Sequence, residues 1–330
     1  MTIRLYTALV AGSVALASSA ALAQTYTWDL ANEYPSGSIH AQSANRFIEA
    51  LAESSDGAIS VTAHHGAALG YRSVDQFDAV GDGAVELASS FMGPWSGIDS
   101  VFLLPSLPFM APSIEETWEL YQAARPYYDE VLADANQMLL YATPWPPSGI
   151  WANEPVDSME AMEGLRIRTY DTSGTVTMRE AGASPVELTW SDTVPQLSTG
   201  GVNSVLTSAD GGVSAQLWEH QSHFTEVNYA MPLQFVHMNR DTFEMLDDGM
   251  QEAVLEAAEA AERFGWELLA ERVEENYETM EAEGMTVVTD VSDDFLAELS
   301  AAAERAVNEW IERFDDAEEL LADYEARRGE

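Results

Sequence analysis

The sequence contains no cysteine, and all of its 14 basic residues are arginines. The absence of cysteine excludes a disulfide framework, a thiol nucleophile and a thiolate metal site, and it removes the residue that would carry a lipid anchor. The arginines are outnumbered by 56 acidic residues, so the net charge is -42. A surface this acidic repels nucleic acid and anionic lipid. It indicates adaptation to salty surroundings, where screening weakens the self-repulsion.

The apolar run at the start of the chain is too short to span a bilayer and has the form of a signal peptide. Arg4 precedes an uncharged stretch over residues 5–17, and Ala21-Leu22-Ala23 supplies a small-x-small cleavage site before Gln24. The alternative, an N-terminal membrane anchor, would need a stop-transfer flank that is missing. We therefore expect residues 1–23 to be removed. The mature protein should lie free in an oxidising compartment, most simply a bacterial periplasm, without inserting into the membrane.

Motifs for catalysis are missing as well. The sequence has no G-x-S-x-G elbow, no P-loop and no dinucleotide fingerprint, and carboxylate pairs carry no signal among 56 acids. His220 and His223 are three residues apart on a predicted helix, a spacing that allows a shared metal. No nearby carboxylate completes such a set, so solvated or hydrogen-bonded histidines are the simpler interpretation. We predict no enzyme activity, no cofactor and no metal.

Length and residue pattern predict a two-domain α/β protein. A chain of 330 residues with 46% hydrophobic residues is long enough to bury two cores. From Thr25 onwards, strand-like segments alternate with amphipathic helices, which indicates parallel sheets flanked by helices. Turn-forming residues interrupt this pattern between Thr143 and Gly149, where we expect the chain to leave the first domain. A long Ala- and Glu-rich helix is predicted over residues 250–283.

The most informative stretch runs from Gly164 to Gly212. Residues 165–170 are predicted to form a short strand, two helices follow, and residues 202–206 form a second apolar run. Ligands of open α/β sheets lie beyond the carboxyl ends of the strands. Arg168 is near that end of the first strand and is therefore a candidate for binding an anion.

Four segments in this stretch have a distinctive order and spacing. They are Gly164-Leu165-Arg166-Ile167-Arg168, Gly182-Ala183-Ser184-Pro185, Trp190-Ser191-Asp192 and Gly201-Val202-Asn203. In these segments the chain resembles the periplasmic solute-binding proteins of TRAP (tripartite ATP-independent periplasmic) transporters, the DctP-like family, and the resemblance extends over essentially the whole mature chain. It implies a two-lobed α/β periplasmic-binding-protein fold, with a mostly parallel sheet flanked by helices in each lobe and a long helix bridging the lobes. It also implies capture of a solute for ion-driven uptake through TRAP membrane subunits, without catalysis.

The implied fold and the break at residues 143–149 together predict the lobe boundaries. Residues 24–145 and 234–273 are expected to form lobe I, and residues 146–233 and 274–330 lobe II. A chain that crosses between two lobes more than once makes a hinge, so closure on a ligand is the natural motion.

The resemblance implies that Arg168 pairs with a carboxylate of the solute and that Trp190 lines the cleft. A guanidinium binds a carboxylate through two parallel hydrogen bonds and keeps its charge when enclosed. The alternative is a structural ion pair with one of the many acids. Arg166 stands where the family usually has an exchangeable lysine and is the weaker candidate. Aromatic and polar side chains complete the predicted ligand-binding set: Tyr170, Thr207, Asn203, Trp151, Ser148, Phe91 and Trp95.

Departures from the family pattern narrow the predicted solute. Ser148 stands where sialic-acid-binding relatives have a second arginine, and Leu206 and Thr207 stand where relatives place Glu or Asn. These differences favour a short or partly apolar monocarboxylate over a polyol acid or a metal-bridged oxo-acid. Three alternatives remain. One is a small amine or amino alcohol in an aromatic cage, which requires a neighbouring acid such as Asp171 to neutralise Arg168. The others are a sensory receptor with the same site and a secreted hydrolase, for which the sequence supplies no motif.

Overall fold

The structure, a computed structural model, describes residues 25–329, so the predicted signal peptide at residues 1–23 lies outside the described residues. The strands are β1 (Tyr26–Asn32), β2 (Ile59–His64), β3 (Leu87–Phe91), β4 (Gln137–Pro144), β5 (Ser148–Ala152), β6 (Ile167–Thr169), β7 (Val186–Glu187), β8 (Ser204–Ser208), β9 (His223–Thr225), β10 (Leu233–Asn239) and β11 (Thr286–Val288). The α-helices are α1 (Ile39–Ser54), α2 (Ser73–Gly81), α3 (Ile114–Asp134), α4 (Met159–Met162), α5 (Thr172–Glu180), α6 (Trp190–Thr199), α7 (Ala209–Ser214), α8 (Arg240–Glu244), α9 (Asp248–Ala282), α10 (Asp293–Arg313) and α11 (Ala317–Arg328). Turns of 3₁₀-helix lie at Gly93–Gly97, Ser100–Ser106 and Leu217–Glu219.

The strands form two sheets, which confirms a two-lobed α/β fold. The first has the order β2-β1-β3-β10-β4 and the second the order β11-β9-β5-β8-β6-β7. Each sheet is mostly parallel, as expected, with one strand that runs against the others: β10 is antiparallel to β3 and β4, and β5 is antiparallel to β8 and β9. The remaining strands of each sheet share one direction. The antiparallel pairs all involve strands next to a passage between the sheets. A strand that enters from the other lobe needs no helical crossover, so its direction is free to reverse.

Besides helix α9, two segments that lie side by side connect the sheets. One joins β4 to β5 within the break predicted at residues 143–149, and the other joins β9 to β10. Backbone hydrogen bonds pair them, from Trp145 N to Pro232 O at 2.7 Å and from Ser148 N to Ala230 O at 2.9 Å. Two paired connections of this kind give the lobes a narrow shared hinge.

Helix α9 bridges the two lobes, as predicted. It has 35 residues. On the first lobe, Ala261 O accepts a hydrogen bond from Ser43 Oγ at 3.1 Å, and Trp266 Nε1 donates to Ala142 O at 2.9 Å. Nearer its end, Arg272 forms an ion pair with the buried Asp210 of α7 in the second lobe.

The C-terminal helices divide between the lobes, which differs from the predicted boundary. Phe295 and Leu299 of α10 join the second-lobe core. Trp310 joins the first-lobe core, and Tyr324 of α11 packs there too and donates a hydrogen bond to Met110 O at 3.1 Å. Lobe II therefore does not extend to residue 330. An amphipathic pattern predicts that a helix face is buried but not which core buries it. Within residues 25–329 no helix combines the length and apolar character needed to cross a bilayer.

Candidate functional site

A cavity lies where the two lobes meet, beside the two crossover segments. It is narrow, with about 30 Å³ of space open to the centre of a water-sized sphere. Six of the nine ligand-binding residues predicted from the sequence line it, namely Arg168, Trp190, Tyr170, Thr207, Ser148 and Phe91. Four lining residues were not predicted, namely Tyr34, Trp145, Ser208 and Pro232.

Arg168 supplies the cation of this cavity, and its side chain is held by backbone carbonyls. The residue lies in β6 between its parallel neighbours β7 and β8. Its Nε donates to Leu188 O at 3.1 Å, and its Nη1 donates to Leu206 O at 3.3 Å. The sheet thus places a carbonyl acceptor on each side of the guanidinium and fixes its direction.

The charge of Arg168 is enclosed without an anionic partner. The residue is 3% exposed. Among the described residues, no carboxylate oxygen lies within 4.0 Å of its guanidinium nitrogens. Burial lowers the pKa of the guanidinium, and the nearby Tyr34 and Glu33 oppose that shift. An arginine stays protonated even so. A buried, unpaired cation is costly, and an anion that enters the cavity would relieve that cost.

Aromatic rings from both lobes form the walls. The guanidinium carbon of Arg168 lies 5.3 Å from the ring centre of Trp190 and 5.8 Å from that of Tyr170. Tyr34 of the first lobe lies 6.0 Å from Trp190 of the second, and Phe91 lies 5.5 Å from Tyr170 in an edge-to-face arrangement. Because these pairs join rings from opposite lobes, the walls exist in this form only when the lobes are closed.

Hydroxyl groups supply neutral hydrogen-bonding capacity beside the cation. Ser148 Oγ lies 3.3 Å from Tyr170 OH, and Thr207 lines the cavity from β8. Burial raises the pKa of the Tyr170 phenol well above its ordinary value, so the group stays protonated. Such hydroxyls both donate and accept, which suits the neutral polar atoms of a small solute.

Further contacts join the lobes away from the cavity. Ser173 Oγ at the start of α5 donates to Ser106 O of the first lobe at 3.0 Å. Ile39 N at the start of α1 donates to the second-lobe Asp210 Oδ2 at 3.1 Å. The structure is therefore that of the closed form.

Three predicted site residues lie elsewhere, and their packing explains why. Trp95 is in the first-lobe core, with ring centres 5.2 Å from Phe77 and 5.3 Å from Phe102, and its Nε1 donates to Ser73 O. Asn203 is exposed, and its Oδ1 accepts a hydrogen bond from Arg166 N at 2.7 Å.

Trp151 lies in β5, is fully buried and does not line the cavity. Its Nε1 donates to Ser208 O at 3.3 Å, and its ring packs on Gly212 so closely that a Cβ there would lie 1.9 Å from the ring. Glycine at 212 therefore makes the space in which the indole lies.

Of the four lining residues that were not predicted from the sequence, Ser208 ends β8 and the other three lie in connections. Trp145 and Pro232 are in the two crossover segments, and Tyr34 follows the carboxyl end of β1. The strand-end rule that identified Arg168 applies equally to Tyr34. Trp145 was not considered as a site residue, because residues 143–149 were interpreted only as a connection between the domains.

Two alternatives that depended on specific side chains lack the required geometry. Asp171 has no oxygen within 4.0 Å of the Arg168 guanidinium nitrogens, and its Oδ1 caps α5 by accepting from Gly174 N at 2.9 Å. His220 and His223 do not share a helix face, since His220 follows a 3₁₀ turn and His223 begins β9. In the described part of the chain, no group of three or more His, Cys, Asp or Glu side chains is arranged to hold a metal ion.

A closed cavity between two α/β lobes, with a buried cation and aromatic walls, defines a two-lobed solute-binding protein. The DctP family model, described as bacterial extracellular solute-binding protein, family 7, matches residues 30–313. The chain belongs to this family, the DctP-like solute-binding proteins of TRAP transporters, which confirms the resemblance found in the sequence.

Several characterised proteins are similar along most of their length. The ectoine-binding periplasmic protein TeaA of Halomonas elongata is 25% identical, with 98% of this chain and 96% of TeaA covered. The crystal structure of DctP7, a Bordetella pertussis extracytoplasmic solute receptor binding pyroglutamic acid, has a TM-score of 0.87 and 27% identity over 91% of this chain and 100% of that chain. A pyroglutamate-specific TRAP solute-binding protein from a marine metagenome also has a TM-score of 0.87, with 26% identity over 92% and 99% of the two chains.

Proposed function

We propose that this protein is an extracytoplasmic receptor that captures a small organic monocarboxylate between its lobes. The observation that carries the proposal is the state of Arg168, which is buried, fixed by two backbone carbonyls and free of any carboxylate among the described residues. A solute carboxylate would complete its hydrogen bonds and balance its charge.

The walls favour a compact solute with an apolar or ring-shaped body. In this closed form only about 30 Å³ of the cavity is open to the centre of a water-sized sphere, and five aromatic rings line it, so the space suits a compact solute. The relatives that bind pyroglutamate or ectoine support the same class, because both molecules are small rings that carry one carboxylate. We therefore propose a compact, ring-containing monocarboxylate as the solute.

The lining residues would each contact a different part of the solute. Arg168 would bind the carboxylate, the aromatic rings would cover the body of the solute, and the Ser148 and Thr207 hydroxyls would orient its neutral polar atoms. No bond of the solute is broken. After secretion through the segment at residues 1–23, the closed receptor would deliver the solute in the periplasm to TRAP membrane subunits for ion-driven uptake. The lobes would open about the paired crossover segments.

The same geometry disfavours an amine as the solute. An aromatic cage attracts a cation, but the guanidinium of Arg168 would repel it. That repulsion could be cancelled only by an acid at the guanidinium, and Asp171 instead caps α5.

A thermal-shift screen of the mature chain, residues 24–330, tests this proposal. The panel pairs L-pyroglutamate and short hydroxy acids with their neutral amides, pairs ectoine with its carboxamide, which keeps only the ring cation, and adds small amines. Binding to the folded state raises the melting temperature, so at least one acid should stabilise the protein while its amide does not. Stabilisation by amines alone would contradict the proposal.

A further inference from the structure

Asp171 precedes α5 in the second lobe and is enclosed where that lobe meets the first. The residue is fully buried. Gly93 of the first lobe packs against it, since a Cβ added at that glycine would lie 3.2 Å from Asp171 Cβ. Ser106 of the first lobe covers the adjacent Ser173, whose Oγ lies 3.0 Å from Ser106 O. Separation of the lobes would remove this cover and let water reach the carboxyl group.

The hydroxyl of Ser173 has two acceptors but a single hydrogen. Its Oγ lies 2.8 Å from Asp171 Oδ1 within the second lobe and 3.0 Å from the first-lobe Ser106 O. An ionised carboxylate is a stronger acceptor than a peptide carbonyl, so it draws the hydrogen to Asp171 and leaves Ser106 O without this donor. A neutral carboxyl group is a weaker acceptor, so the hydroxyl can donate across the lobes. Protonation of Asp171 therefore strengthens a contact between the lobes.

The second oxygen of Asp171 makes its ionised form costly in the closed cleft. Among the described residues, the buried Oδ2 has no hydrogen-bond partner. A charged oxygen that is enclosed without a donor loses the hydration that it had in water. Burial raises the pKa of Asp171 to about 6, although the hydrogen bond from Gly174 N and the hydroxyls of Ser106 and Ser173 lower it. Closure of the lobes thus favours the neutral acid.

The charged and titratable neighbours of Asp171 belong to the second lobe and to a crossover segment. Beyond burial, repulsion by Glu187 of β7 also raises the pKa of Asp171. Tyr170 and Tyr229 stay protonated, because burial raises the pKa of both phenols. The Arg168 guanidinium attracts the ionised form of Asp171. A solute carboxylate at Arg168 would cancel part of that attraction and so would favour the neutral form further.

We propose that closure of the lobes on a solute is coupled to the uptake of one proton by Asp171, so that the receptor holds its solute more tightly in mildly acidic than in neutral surroundings. The proton comes from the solvent and returns to it when the lobes open, and no bond of the solute changes. The coupling rests on the proposed function, because it requires capture of a solute by closure. Asp171 does not line the cavity, so it acts on the contact between the lobes and not on the solute.

Calorimetric titration with L-pyroglutamate tests the coupling. Titrations at about pH 5.5 in MES and in piperazine, two buffers that differ in ionisation enthalpy, give the number of protons taken up on binding. The pKa is about 6 in the closed form and about 3.9 for a hydrated carboxyl group, so uptake should approach about 0.7 proton at about pH 5.5 and fall below about 0.1 at about pH 7.5. The closed form binds more protons in this window. Affinity should therefore fall, by up to about fourfold, as the pH rises from about 5.5 to 7.5.

Asp171→Asn keeps an oxygen that can cap α5 but removes the titrating group. This variant should lose the proton uptake and bind the acid with similar affinity at both pH values. Asp247→Asn is the matched control, because Asp247 is an exposed helix cap whose Oδ1 accepts from Met250 N at 2.9 Å away from the contact between the lobes. The control should keep the uptake and the pH dependence of the wild type.

Ser173→Ala separates the hydroxyl from the carboxyl group. The variant removes the hydrogen bond to Ser106 O, which we assign mainly to the neutral form of Asp171. Affinity should therefore fall about two- to tenfold at about pH 5.5, the loss expected for one hydrogen bond, and less at about pH 7.5. An equal loss at both pH values would contradict the proposed role of the hydroxyl.

The outcomes distinguish the coupling from the proposed function. Binding of the acid to the wild type without proton uptake, or with the same uptake in Asp171→Asn, would overturn the coupling and leave the proposed function intact. A wild-type chain that binds no acid of the thermal-shift panel would overturn the proposed function, and the coupling with it.

Discussion

Arg168 Nε donates a hydrogen bond to the backbone carbonyl of Leu188 at 3.1 Å. The second contact, from Nη1 to Leu206 O, is also to a neutral acceptor. These bonds fix the position of the guanidinium without cancelling its charge. In a protein with a net charge of -42, a buried arginine that is kept apart from every acid described around it is a strong indication of an anionic ligand.

Trp190→Ala should weaken binding without unfolding the protein. The ring covers the guanidinium at 5.3 Å and lines the cavity, so its loss should reduce affinity by about 1–2 kcal/mol through lost cation–π and apolar contact. Calorimetric titration with an acid from the thermal screen measures this change.

Trp151→Ala is the contrasting variant, since it changes the same residue type outside the cavity. Removing a fully buried tryptophan should lower the free energy of unfolding by about 3–5 kcal/mol, while the folded fraction keeps its affinity. Urea denaturation and the same titration separate the two effects. A Trp151 variant that is stable but no longer binds would contradict the assignment of these two rings.

Asp171 should make stability fall as the pH rises through mildly acidic values. Burial is the main cause that raises its pKa to about 6, above the value of about 3.9 for an unfolded chain. The folded state therefore binds more protons in this window, and stability is lost between about pH 4 and pH 6. The free energy of unfolding lost through this group is at most about 3 kcal/mol, because the pKa differs by roughly two units between the folded and unfolded states.

Asp171→Asn should remove this contribution while its side-chain oxygen still caps α5. Urea midpoints of both proteins, compared between about pH 4.5 and pH 7, should diverge in favour of the variant as the pH rises. Parallel curves would show that burial of Asp171 costs nothing.

Salt should stabilise the protein. With 56 acidic residues and 14 arginines, self-repulsion is strong in dilute buffer and is screened as ionic strength increases. The melting temperature should climb steadily from dilute buffer to molar sodium chloride. A flat response would contradict adaptation to salty surroundings.

Residue pattern predicted the parts of this molecule that depend on local chemistry. Arg168 was a candidate because ligands bind at strand ends of α/β sheets, and it lines the cavity; the break at residues 143–149 was predicted from its turn-forming residues. The role of an aromatic residue depends instead on long-range packing. The resemblance implied that Trp190 lines the cleft, whereas Trp151 was included only as a further aromatic, and its packing on Gly212 becomes visible only in the folded chain.

The assignment of elements to lobes had the same limit. The apolar face of α11 predicts burial, but the first-lobe core that buries it is distant in sequence. Likewise Tyr34 and Trp145 lie 111 positions apart in the sequence, and their ring centres come within 4.7 Å of each other only in the folded chain.

The most direct test of the central claim is calorimetric titration of three proteins with the acid that gives the largest thermal shift, with L-pyroglutamate as the reference probe. The proteins are wild type, Arg168→Ala and, as the matched control, Arg166→Ala, which changes an exposed arginine two residues away. Arg168→Ala should lose about 2–5 kcal/mol of binding free energy, roughly thirtyfold or more in affinity, while Arg166→Ala binds as wild type does. Unchanged affinity in Arg168→Ala would contradict the claim that this guanidinium binds the solute.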